Sequence, residues 1–122
     1  PGFGYSVGLP PVMAAAALSS LDILAREPER VVRLHQMGKY FLETARAAGV
    51  DTGHSEGYCV TPAISGSSLK SVQRSSALFA RGVNVQPIIY PAVEERAARL
   101  RFFISCQHTK QQIDTAISLL TD

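Results

Sequence analysis

The segment ARLRFFISCQHTKQQIDTAISLL, Ala98–Leu120, writes a strand and a helix back to back. Strands alternate faces with a period of two, so Leu100, Phe102 and Ile104 point one way while Arg99, Arg101 and Phe103 point the other. A strand over Arg99–Ser105 therefore has one apolar face to bury and one face carrying two guanidinium groups. Thr109 and Gln112 have the capping-box spacing, and Ile113, Ala116, Ile117 and Leu120 follow at helical intervals. The predicted helix covers the greasy face, and the arginine face is left to solvent or to something outside the segment.

Upstream, Leu9-Pro10-Pro11 leads into VMAAAALSSLDILARE, where prolines fit the first helical turn without losing a needed hydrogen bond. The small residues Ala14–Ala17 predict close packing on more than one face. After Pro28 a second helix places Val31, Leu34, Gly38, Phe41, Ala45 and Ala48 on one face and ends near Gly49. DTGHSEG is turn-like, and YCVTPAISG is a short extended run in which Pro62 predicts an edge position or a bulge. SLKSVQRSSALFA predicts a helix with Leu69, Val72, Ser76 and Phe79 on one face, stopping at Gly82. GVNVQP predicts a strand with Val83 and Val85 opposite Asn84 and Gln86. The order is helix, helix, strand, helix, strand, strand, helix. It predicts an α+β layer in which helices cover one face of a short, mostly antiparallel sheet.

At 122 residues and 46% hydrophobic content the chain is one domain's worth and not intrinsically disordered. A net charge of +2, from 12 basic and 10 acidic residues scattered along the chain, argues against nucleic acid or an anionic membrane as partner. No apolar run is long enough to span a bilayer. Cys59 and Cys106 lack metal or CxxC spacing and read as reduced thiols of a cytosolic protein. His35, His54 and His108 lack the spacing of a zinc site, so no metal is expected. Pro1 without a methionine reads as an internal cut.

Two uses of Arg99 and Arg101 follow from the residues alone. Arginine grips a carboxylate through two parallel N–H···O bonds. Alternatively the pair sits on a solvated edge strand, with the arginines pairing with Glu94 or Glu95. On that second view the chain is a stand-alone α+β anion-binding module, or a dimerisation module built on its Ala-rich helix.

Three stretches, PGFGYSVGLPPVMAAAAL, GVNVQPIIYPAV and ARLRFFISCQHTKQQID, resemble in order and spacing the C-terminal part of α-oxoamine synthases. These are pyridoxal-phosphate (PLP) enzymes of the type I aminotransferase fold. They include 8-amino-7-oxononanoate synthase, 2-amino-3-ketobutyrate CoA ligase, 5-aminolevulinate synthase and serine palmitoyltransferase.

The resemblance implies a connecting segment and interdomain helix over residues 1–27 and the C-terminal small domain over 28–122, with the PLP-binding large domain absent from this chain. It implies that Arg101 holds the carboxylate of the amino-acid substrate, and that Ser6 reaches the cofactor phosphate of the partner subunit in a cytoplasmic homodimer. The implied reaction condenses a small amino acid with an acyl thioester, usually acyl-CoA and typically with decarboxylation, to an α-amino ketone. The family's Schiff-base lysine belongs to a motif not seen here, because Lys39, Lys70 and Lys110 fall at polar helical positions. The chain by itself is therefore expected to be inactive.

Overall fold

The computed structural model describes residues 9–122, and the chain divides into two compact units, Pro1–Val31 and Val32–Asp122. In the first, helix α1 (Pro11–Arg26) starts with proline at its first position and buries none of its residues. Val12, Leu18, Leu21 and Leu24 are exposed along it. Ser6 lies outside the described residues.

The second unit begins within helix α2 (Glu29–Ala47) and continues through strand β1 (Val60–Ile64), helix α3 (Ser68–Ala80), strand β2 (Gln86–Ile88), a 3₁₀ turn at Glu95–Ala97, strand β3 (Arg99–Phe103) and helix α4 (Lys110–Thr121). The sheet order is β1-β3-β2, and both pairings are antiparallel. Leu100 and Phe102 of β3, followed by Ile104, are buried with Phe41 and Ala45 of α2, Leu78 of α3, and Ile113, Ile117 and Leu120 of α4. The Phe41 and Phe102 rings meet with centroids 5.0 Å apart. Helices thus cover one sheet face, as the alternation in β3 predicts.

The ends of the helices follow local chemistry. The Thr109 hydroxyl accepts from the Gln112 N–H, and the Gln112 side chain accepts in return from the Thr109 N–H. Gly49 has φ 78°, and the bonds Gly49 N–H to Arg46 O and Val50 N–H to Ala45 O close α2 in a Schellman motif. The same pattern, Gly82 N–H to Phe79 O and Val83 N–H to Leu78 O, closes α3.

That closure displaces the strand expected over Gly82–Pro87. Gly82 and Val83 are used in capping α3, Val85 fills the core from the connection, and pairing begins only at Gln86. Pro62 in β1 pairs opposite Arg101 and Pro87 in β2 opposite Leu100. The Ile104 N–H bonds Cys59 O, which fixes the alternation so that Pro62 turns its missing N–H outward. Each edge strand thus carries a proline, which blunts it against further pairing.

The exposed side of α3 is the second departure. Leu69, Val72 and Phe79 share a face, but it points outward, with Leu69 and Phe79 each 67% exposed. The buried residues are Ser71 and Leu78. Ser71 Oγ bonds Ser67 O and the Ser65 hydroxyl, and Ser75 Oγ donates to Val85 O. Small hydroxyl side chains let α3 lie close on polar connecting segments, where an apolar stripe would forgo the Ser75 bond to Val85 O and the Ser71 bond to Ser65.

Candidate functional site: the uncovered face of the sheet

The side of β3 opposite the core carries Arg99, Arg101 and Phe103, because five residues of regular strand put them in register with one another. Arg101 and Phe103 are exposed and Arg99 is half-buried. Across the sheet, Arg101 stands between Pro62 of β1 and Gln86 of β2, and Arg99 stands between Ile64 and Ile88.

The two arginines are not equivalent. Arg99 Nε donates to Ala97 O at 2.7 Å, which ties it to the 3₁₀ turn. The Arg101 guanidinium carbon lies 5.1 Å from the centroid of the Phe103 ring, a cation–π contact that steadies the group without satisfying its donors. Among the described residues the ion pairs are Arg30–Glu27, Lys39–Glu43 and Arg81–Asp122, so neither Arg99 nor Arg101 has an acidic partner. The Glu95 carboxylate instead accepts from the N–H and hydroxyl of Ser68 at the start of α3. Those two bonds hold its pKa below the ordinary carboxylate value. The ion pair with Glu94 or Glu95 that would have made the arginines mere surface charges does not form.

Arg101 lines a groove of about 720 Å³ together with Gln86, Phe103, His108 and Gln112. Arg99 lines a separate depression of about 520 Å³ with His54, Glu56 and Tyr58. A charged fork on an open groove, unspent on any neighbour, suits a planar oxyanion held by two parallel hydrogen bonds. Alternation in the sequence placed Arg101 and Phe103 on one face but not Gln86 beside them, since cross-strand register is not readable from one strand.

No lysine lines either cavity. Lys39 pairs with Glu43 along α2, and Lys110 sits over the Tyr40 ring at 4.8 Å. The described residues therefore offer no amine beside Arg101 to hold an aldehyde cofactor. Among them no group of three or more His, Cys, Asp or Glu is placed to hold a metal ion, and no helix is long and apolar enough to cross a membrane.

A helix-backed antiparallel sheet whose free face carries Arg101 without an acidic partner among the described residues defines a small α+β unit. Residues 1–120 match the family model described as aminotransferase class I and II, and the chain belongs to that family. It is 40% identical over 116 residues to an 8-amino-7-oxononanoate synthase of Symbiobacterium thermophilum, matching 95% of this chain and 29% of the relative. The chain thus spans under a third of the length of that curated relative.

In fold it is similar to the crystal structure of 8-amino-7-oxononanoate synthase from Francisella tularensis, with a TM-score of 0.77, 24% identity, and coverage of 96% of this chain and 34% of that one. It is also similar to a serine palmitoyltransferase from S. paucimobilis with a bound PLP–myriocin aldimine, with a TM-score of 0.81, 23% identity, and coverage of 93% and 29%. The α-oxoamine synthase resemblance and the expected small α+β part of the type I aminotransferase fold are both borne out.

Proposed function

We propose that this chain is the C-terminal part of a PLP-dependent α-oxoamine synthase, with residues 1–27 as connecting segment and interdomain helix and 28–122 as the small domain. The intact protein, a cytoplasmic homodimer, condenses a small amino acid with an acyl thioester, usually acyl-CoA, and typically releases carbon dioxide to leave an α-amino ketone. The observation that carries the reading is Arg101, exposed on the sheet face the helices leave open and without an acidic partner among the described residues, in a chain 40% identical to an 8-amino-7-oxononanoate synthase.

Bound PLP supplies the electron sink for deprotonating carbon, and Ser6 is the proposed contact to its phosphate from the neighbouring subunit. The residues described here act on the substrate. Arg101 holds the carboxylate, which fixes the orientation of the bonds at the adjoining carbon and lowers the entropic cost of reaching the reactive geometry. Phe103 holds the guanidinium plane. Arg101 neither donates nor removes a proton in the reaction, since an arginine stays charged at any working pH.

The test is equilibrium binding to the full-length protein of glycine, L-alanine and L-serine, each beside its carboxamide. Arg101→Ala removes a charge-assisted pair worth roughly 2–3 kcal/mol, or about thirty- to a hundredfold in affinity for the acid. Arg101→Lys keeps the charge but loses the fork and recovers only part of this. Arg99→Ala, whose guanidinium is tied to Ala97 O, changes affinity far less. Equal weakening of acid and carboxamide by Arg101→Ala would refute the assignment.

A further inference from the structure

Directly opposite residues of an antiparallel pair put their side chains on the same face, with Cβ atoms about 5 Å apart. For Arg101 those residues are Pro62 on one side and Gln86 on the other. Pro62 brings no polar side-chain atom. Along β3 the same-face neighbours are Phe103, already under the guanidinium, and Arg99, which carries the same charge. Of the diagonal neighbours, Val60, Ile64 and Ile88 are apolar, and Asn84, two residues before Gln86, has its side-chain oxygen engaged by the Gln86 amide. Gln86 is the polar acceptor that the register brings to the side of the fork.

Its amide is also oriented. Gln86 Nε2 donates to Asn84 Oδ1 at 3.0 Å, and no donor among the described hydrogen bonds occupies Oε1. Both Gln86 and Arg101 line the same groove. An amide acceptor can hold a guanidinium N–H without neutralising its charge, whereas a carboxylate at this position would form an ion pair and consume it.

We propose that Gln86 is a positioning residue for Arg101: its Oε1, set by the Asn84 bond, accepts one guanidinium N–H and aims the rest of the fork into the groove for the substrate carboxylate. This rests on Arg101 being the carboxylate-holding residue.

The experiment is calorimetric titration of the full-length protein with glycine, L-alanine and L-serine and with their carboxamides, for Gln86→Glu, Gln86→Ala, Arg101→Ala and the double variant Gln86→Ala/Arg101→Ala. Gln86 is exposed, so all four variants are expected to fold, and unchanged urea midpoints verify this. Gln86→Glu weakens acid binding roughly ten- to a hundredfold by pairing with Arg101 and leaves the carboxamide within about twofold. Gln86→Ala weakens the acid roughly three- to tenfold. In the Arg101→Ala background Gln86→Ala has no further effect, a coupling that a merely structural role would not produce.

Wild-type acid affinity in Gln86→Glu, or additive losses in the double variant, would overturn the positioning role while leaving Arg101 as the carboxylate holder. A silent Arg101→Ala would overturn both.

Discussion

Replacing Gly38 by alanine gives the sharpest test of how α2 meets the sheet, because local and tertiary effects have opposite signs. Within a helix, Gly→Ala stabilises by about 1 kcal/mol through backbone entropy alone. Here an added Cβ would lie 2.4 Å from Gly57 O, 2.5 Å from Tyr58 O and 2.9 Å from the Tyr58 carbonyl carbon. Ordinary carbon–oxygen contact is about 3.3 Å, so one backbone must retreat by close to 1 Å.

Neither side yields cheaply. α2 is anchored by Phe41 and Ala45 in the core, and the chain after Tyr58 is pinned by the 2.7 Å bond from Ile104 N–H to Cys59 O. Overpacking of this kind costs about 1–3 kcal/mol or more. We expect Gly38→Ala to be destabilising by about 2 kcal/mol net, a drop of roughly 1 M in the urea midpoint. Equilibrium unfolding followed by circular dichroism measures it. A midpoint that rises, as helix propensity alone demands, would refute the close approach of α2 to Gly57 and Tyr58.

Two further outcomes follow from burial and charge. Leu100→Ala, at a fully buried site, should cost about 2–5 kcal/mol, whereas Phe79→Ala on the outward side of α3 should stay within about 0.5 kcal/mol; the reverse order in urea melts would show α3 turned the other way. The Ser68 bonds hold the pKa of Glu95 below its ordinary value, so the unfolded state binds its proton first. The stabilisation is present above the unfolded value and lost as pH falls through the folded one. The melting-temperature gap between wild type and Glu95→Gln should therefore shrink between roughly pH 5 and 3, and a gap constant across that range would exclude the effect.

Local chemistry sufficed for much of the fold. Alternation in Arg99–Phe103 set which face of β3 is buried, Thr109 with Gln112 started α4, and Gly49 and Gly82 ended their helices, all through interactions within a few residues. Periodicity identified Phe41 and Ala45, though not Met37 and Leu42 beside them, since a helix flanked on two sides buries a wider stripe than a single run of spacings describes.

Where longer range decided, the pattern misled. The apolar face of α3 points outward because Ser71 and Ser75 turn inward to bond the Ser65 hydroxyl and Val85 O in the connections on either side of the helix, and β2 starts late because the cap of α3 uses the residues before it. Arg101 stood out in the sequence as one of two similar arginines. Tertiary structure separated them, because register placed an isoleucine on each side of one and an oriented amide beside the other, and a neighbour across a sheet is set by pairing geometry that no single strand encodes.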